Sequence, residues 1–141
     1  MRVVFETNIS VSAFAVTGGQ AERAIRAATQ GSVTLVTSPS LLAELATVLE
    51  RKFAWAGQPV KELVQWLGSV AVVVRPTVHL AVLDDEPDNR VLECAVAGEA
   101  EIIVTGDRAL LALGQYQAVR IVSLADFLTD VASPAELERE A

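Results

Sequence analysis

A chain of 141 residues with 52% hydrophobic and 21% charged side chains has the length of one domain, able to bury roughly 68–70% of its unfolded surface, and is too apolar to be disordered. Eleven Lys and Arg against eighteen Asp and Glu give a net charge of −7, which argues against nucleic-acid binding through bulk positive charge. No apolar run approaches the ~18 residues of a membrane span, and the single Cys94 excludes an intramolecular disulfide or a multi-cysteine metal site.

Strand-like apolar runs alternate with helix-period segments along the whole chain. Residues 2–6 read as a strand, 8–16 and 20–30 as helices, 33–37 as a strand, and 39–53 and 58–67 as helices. Next come a strand at 70–75, a helix at 88–98, a strand at 101–105, a short helix at 108–113, a strand at 119–122 and a last helix at 124–132. Five strands separated by helices predict parallel pairing with crossovers, hence a three-layer α/β/α sandwich around a central parallel sheet of about five strands. Runs such as Val3-Val4-Phe5, Val70-Ala71-Val72-Val73-Val74 and Ile102-Ile103-Val104 are continuous rather than alternating, as expected where both sheet faces are covered. One domain over residues 1–132 and a short acidic tail at 133–141 follow. Ser38-Pro39 and Glu86-Pro87 have helix-start chemistry, and Ser133-Pro134-Ala135-Glu136 has capping-box spacing. Met1–Glu6 meets an acid after three apolar residues, too short for a signal-peptide core, so a cytosolic protein is expected.

Ligands of an open parallel sheet bind beyond the carboxyl ends of its strands. Two acids fall there, Glu6 after the first strand and Asp107 after Val104-Thr105-Gly106; a strand order such as 3-2-1-4-5 makes them neighbours. Asp88 lies in the first turn of its helix. Glu44 borders the apolar stripe Leu41, Leu45, Val48 and Leu49, whereas Glu50 faces away. Each acid also has a plain structural explanation. Asp107 suits an N-cap, Asp88 gains from the helix dipole, and a boundary Glu44 is ordinarily solvated. Glu6 alone, closing a buried strand with no basic neighbour, leans functional by itself. Taken together, two carboxylates ~4 Å apart repel by about 4 kcal/mol at an effective dielectric near 20, so a converging set calls for a cation. Hard oxygens without His or Cys select Mg²⁺ or Mn²⁺, which points to metal-assisted hydrolysis of a phosphodiester.

Four segments carry a resemblance: Arg2-Val3-Val4-Phe5-Glu6-Thr7-Asn8-Ile9-Ser10, Ser38-Pro39-Ser40-Leu41-Leu42-Ala43-Glu44-Leu45, Asp88-Asn89-Arg90-Val91-Leu92-Glu93-Cys94-Ala95 and Ile103-Val104-Thr105-Gly106-Asp107-Arg108. In order and spacing, over about residues 1–128, they look like the four acidic motifs of PIN-domain ribonucleases, and more narrowly like VapC-like toxins of bacterial toxin–antitoxin pairs. The resemblance implies Glu6, Glu44, Asp88 and Asp107 as carboxylates for Mg²⁺ or Mn²⁺, with Asn8 and Thr105 as supporting polar groups. It also implies RNA as substrate, 5′-phosphate and 3′-hydroxyl products, a homodimer and an antitoxin partner. One departure stands out: the first acid of the pattern is normally Asp, and here it is Glu6. An ångström of misplacement can cost on the order of 100-fold in rate, so three outcomes stay open: a site tuned to the longer arm, a weakened nuclease, or a substitution that silences a toxic protein. The rival reading is a non-catalytic module that binds RNA or a protein partner.

Among the remaining features, Arg90 and Arg108 follow two of the acids closely and are the candidate substrate contacts, with ordinary surface charge as the alternative. Asp85 and Glu93 rank below the four acids. Cys94, among Val91, Leu92, Ala95 and Val96, reads as a small core hydrophobe, and the lone His79 as structural. Trp55 and Trp66 suggest a partner surface, which full burial of both would refute. A phosphatase forming an aspartyl-phosphate would need an Asp where Glu6 stands.

Overall fold

The computed structural model describes residues 1–31 and 33–130; the expected capping box at 133–136 and the tail lie outside the described residues. Seven helices and six strands follow in the order β1 (Arg2–Phe5), α1 (Thr7–Ala15), α2 (Gln20–Thr29), β2 (Thr34–Thr37), α3 (Pro39–Lys52), α4 (Gly57–Val70), β3 (Val72–Val73), α5 (Glu86–Ala97), β4 (Ile102–Val104), α6 (Arg108–Leu113), β5 (Gln115–Tyr116), β6 (Val119–Val122) and α7 (Leu124–Asp130). The sheet order is β3-β2-β1-β4-β6-β5. The first five are mutually parallel, with Val4 facing both Val36 and Ile103 and Phe5 facing Val104.

The twofold side-chain alternation of a strand divides these apolar runs between two cores. Val3, Phe5, Leu35, Ile102 and Val104 point to one face and pack against α1, α2, α3, α4 and α7, with Phe127 set edge-on to Phe5. Val4, Val36 and Ile103 point to the other, beneath Val91, Leu92, Cys94 and Ala95 of α5 and Leu110 of α6. The three-layer arrangement is thus the direct result of strands that are apolar on both faces. Cys94 is buried in the second core, where loss of water pushes its thiol up to about 12. At the end of α5 the chain passes so close to β2 that a Cβ on Gly98 would lie 2.5 Å from Val36 Cγ1.

Two edges depart from expectation. The segment read as a strand over 70–75 is helix as far as Val70 and strand only at Val72–Val73, an edge strand with both valines more than a third exposed. Its apolar run therefore does not report a covered strand. At the other edge, Gln115–Tyr116 adds a sixth strand, antiparallel to β6, so the sheet is mixed rather than wholly parallel. The connecting Gln117-Ala118 carries a positive φ of 51° at Gln117, without the Gly or Asn that usually marks such a hairpin.

Candidate active site

At the centre of the sheet, β1 and β4 run side by side and end together. The Glu6 N–H still donates to Val104 O at 3.0 Å before the chain turns into α1. Glu6 is the N-cap of that helix: its backbone is extended and its Oε2 accepts from the Asn8 N–H. Its Oε1 accepts from Thr105 Oγ1 at 3.1 Å. Thr105 is fully buried and also accepts from the Asp107 N–H at 2.9 Å. Asp107 caps α6 in turn, with Oδ1 accepting from the Ala109 and Leu110 N–H groups at 3.0 and 3.1 Å. A continuous hydrogen-bonded path therefore joins the two strand ends, with Thr105 as its middle link.

The other two acids arrive on helices. Pro87 fits the first turn of α5, where a missing N–H costs nothing, and places Asp88 just inside the helix, 6% exposed. Asp88 Oδ2 is buried and receives no hydrogen bond. Glu44 reaches in from α3, where Thr7 Oγ1 donates to its Oε2 at 3.1 Å. Electrostatics link all four. Burial is the main cause holding the Glu6 carboxyl above its ordinary value; the Asn8 and Thr105 hydrogen bonds oppose this, and the charges of Asp107 and Glu44 add to it. Asp88 is pushed up to about 7, first by burial, then by the Asp107 and Asp85 charges, hydrogen bonding to Asp107, and the charge of Glu6.

Three of the four acids sit at helix N-termini, where the dipole stabilises a negative charge by typically 0.3–1 kcal/mol. Burial and mutual repulsion outweigh that help at Glu6 and Asp88. Capping and clustering thus coexist: Asp107 is the N-cap that its sequence position suggests, and it is also a neighbour of Asp88.

The chemistry of this set fits a hard divalent cation. The donors are all oxygen, they repel one another, and one buried carboxylate oxygen has no partner. Among the described residues, no three Asp, Glu, His or Cys side chains stand ready to hold one ion. The Glu6 oxygens and Asp107 Oδ1 are turned to protein donors instead.

The PIN domain profile matches residues 2–109, most of the chain and all four acids. The chain belongs to the PIN-domain family. An uncharacterized protein of Methanocaldococcus jannaschii, MJ1680, is 28% identical over 117 residues, spanning 80% of this chain and 75% of that protein. Among solved structures, VapBC2 from Rickettsia felis bound to a DNA fragment from its promoter superposes with a TM-score of 0.62 at 14% identity, covering 87% of this chain and 98% of that one. VapBC-1 from nontypeable Haemophilus influenzae also gives 0.62, at 15% identity, covering 89% and 99%. These likenesses establish the three-layer fold.

Elsewhere in this PIN domain, residue roles diverge from the simplest reading. Asn8 acts through its backbone N–H, with its side chain exposed. Arg108 is exposed beside Asp107. Arg90 is not free: its guanidinium donates to Glu86 at 2.9 Å and to Leu80 O at 3.1 Å, and its Nε lies 2.8 Å from Glu93 Oε1, too far off line for a hydrogen bond. Glu93 accepts from the Leu80 N–H at 2.7 Å and lies 3.6 Å from His79, so both residues fasten the segment ahead of α5. Asn89, fully buried, completes that grip by accepting from the Val82 and Leu83 N–H groups and donating to Leu83 O. Asp85 occupies the N-cap of α5 yet makes no cap bond with its side chain. Sequence reasoning passed over Thr7 and Asn89. A polar residue next to a candidate acid was the available signal for both, but neither residue type reveals its partner.

Proposed function

We propose that this PIN domain is a Mg²⁺- or Mn²⁺-dependent endoribonuclease and the toxin of a toxin–antitoxin pair. One observation supports the reading: Glu6, Asp88 and Asp107 lie close enough to repel one another, Glu44 adds its charge at Glu6, and a buried Asp88 oxygen has no hydrogen-bond partner. Glu6, Glu44, Asp88 and Asp107 would hold the ion. Bound there, Mg²⁺ or Mn²⁺ supplies an acidified water and neutralises charge developing on the phosphate. Thr105 keeps Glu6 and the Asp107 backbone in register through its two hydrogen bonds. Exposed Arg108 is placed to meet an RNA phosphate, while Arg90, bound to Glu86 and Leu80 O, acts by holding the segment ahead of α5. The family resemblance implies 5′-phosphate and 3′-hydroxyl ends, formed when water attacks phosphorus and the 3′ oxygen leaves.

The solved neighbours are VapBC structures, which supports an antitoxin as partner; a homodimer is what the family resemblance implies. The surface offered to the antitoxin is a groove of about 390 Å³ lined by Phe14, Ile25, Arg26 and Trp66. Trp66 is 44% exposed and stands edge-on to Phe14, and Trp55 is only partly buried. No helix among the described residues is long and apolar enough to cross a membrane.

A second reading rests on Glu6. Both of its oxygens are committed to protein donors, which favours a weakened module that binds RNA or protein without cutting. Incubating the protein with RNA and Mn²⁺ separates the two. The nuclease reading expects cleavage that EDTA abolishes and Asp107→Asn impairs; Mn²⁺-independent RNA binding without cleavage supports the other.

A further inference from the structure

Thr7 opens α1 directly after Glu6 and is 4% exposed. Its hydroxyl donates to Glu44 Oε2 at 3.1 Å, across 37 residues of chain. Among the described residues this is the one hydrogen bond made to the Glu44 carboxylate. A glutamate has three rotatable side-chain bonds, so its carboxylate takes many positions unless something holds it. Without a tether the carboxylate would swing between the site and solvent. The Thr7 hydroxyl holds Oε2 and leaves Oε1 as the oxygen available to a ligand. Because Thr7 and Glu6 are consecutive, the same bond ties the acid of α3 to the acid that closes β1.

We propose that Thr7 is a positioning residue that orients Glu44 for binding a divalent cation, touching neither the cation nor RNA. This rests on the metal reading above. A hydroxyl that orients a ligand carboxylate acts from outside the coordination sphere, and loss of such a group typically weakens metal affinity 10–100-fold.

Mn²⁺ binding, followed by the electron paramagnetic resonance signal of free Mn²⁺, reads this directly and needs no substrate. Thr7→Val keeps the shape and removes the donor, Thr7→Ala removes the donor and the bulk, and Thr7→Ser restores the hydroxyl. The expected result is a Kd raised on the order of tenfold in Thr7→Val and Thr7→Ala, with Thr7→Ser close to the unsubstituted protein. In a Glu44→Ala background, Thr7→Val should produce no further change, since a residue that acts through Glu44 has nothing left to orient. An unchanged Kd in folded Thr7→Val and Thr7→Ala overturns the inference while leaving the metal reading intact. So does an equal loss in the Glu44→Ala background, the mark of a merely structural role. Failure of the unsubstituted protein to bind Mn²⁺ overturns both.

Discussion

Replacing Asp88 by Asn should stabilise the metal-free protein at alkaline pH. Between its ordinary value of 3.8 and the folded value of about 7, the native state keeps a proton that the unfolded chain has lost, so native stability falls as pH rises through that window. At pH 8 the accumulated cost of ionising Asp88 is about 4 kcal/mol, taking 1.36 kcal/mol per tenfold change in proton affinity. The substituted side chain would carry no charge, but its amide needs new partners, a loss of about 1–3 kcal/mol if they are imperfect. The net expectation is a gain of about 1–3 kcal/mol at pH 8 that shrinks by about 2–3 kcal/mol at pH 5, where Asp88 is protonated in the native state. Urea unfolding in EDTA at the two pH values measures both numbers. Added Mn²⁺ should reverse the order at pH 8, because ligand at about 1,000 times its Kd stabilises the unsubstituted protein by about 4.1 kcal/mol. Equal destabilisation by Asp88→Asn at pH 5 and pH 8 would refute the reasoning, since it would mean that Asp88 is an ordinary solvated carboxylate.

Asp107→Asn should separate capping from ligation: Asn caps as well as Asp and no longer repels Asp88 and Glu6, so the unfolding midpoint in EDTA should not fall while Mn²⁺ affinity and RNA cleavage collapse. Glu6→Asp keeps a short acid next to the Asn8 N–H and withdraws it from Thr105; Mn²⁺-dependent cleavage should rise, and equal rates in both forms would remove the argument from arm length. Asn89→Ala leaves the Val82 and Leu83 N–H groups without their acceptor; since Val82 is exposed and can turn to water, the cost in urea unfolding should be about 1–3 kcal/mol, that of one orphaned group. Gly98→Ala forces a methyl against Val36 and should cost about 1–3 kcal/mol by the same assay.

The strand ends were legible because the relevant physics is local. Val3-Val4-Phe5 and Ile102-Ile103-Val104 read as covered strands and are so, and the rule that ligands lie beyond their carboxyl ends brings Glu6 and Asp107 together before any coordinates. Asp88 was legible through Pro87, and Glu44 through the stripe beside it. What escaped depends on partners far along the chain. Thr7 finds Glu44 only once α1 crosses α3, and Arg90 turns inward only because Leu80 presents a carbonyl to it. The N-cap role of Glu6 was also missed, since Ser, Thr, Asp and Asn are the residues that signal a cap. At the sheet edges, Val70–Val74 looked like a strand by β-propensity, which favours neither edge nor centre, and Gln117-Ala118 carried no turn signal.

The central claim is that the four carboxylates form one cation site, and anomalous scattering from a crystal soaked in Mn²⁺ tests it most directly. The account predicts a peak at ligating distance from Asp88 Oδ2, with Glu6, Glu44 and Asp107 turned toward it. A soaked crystal with no peak there, or with Mn²⁺ bound only to acids outside this set, would contradict it.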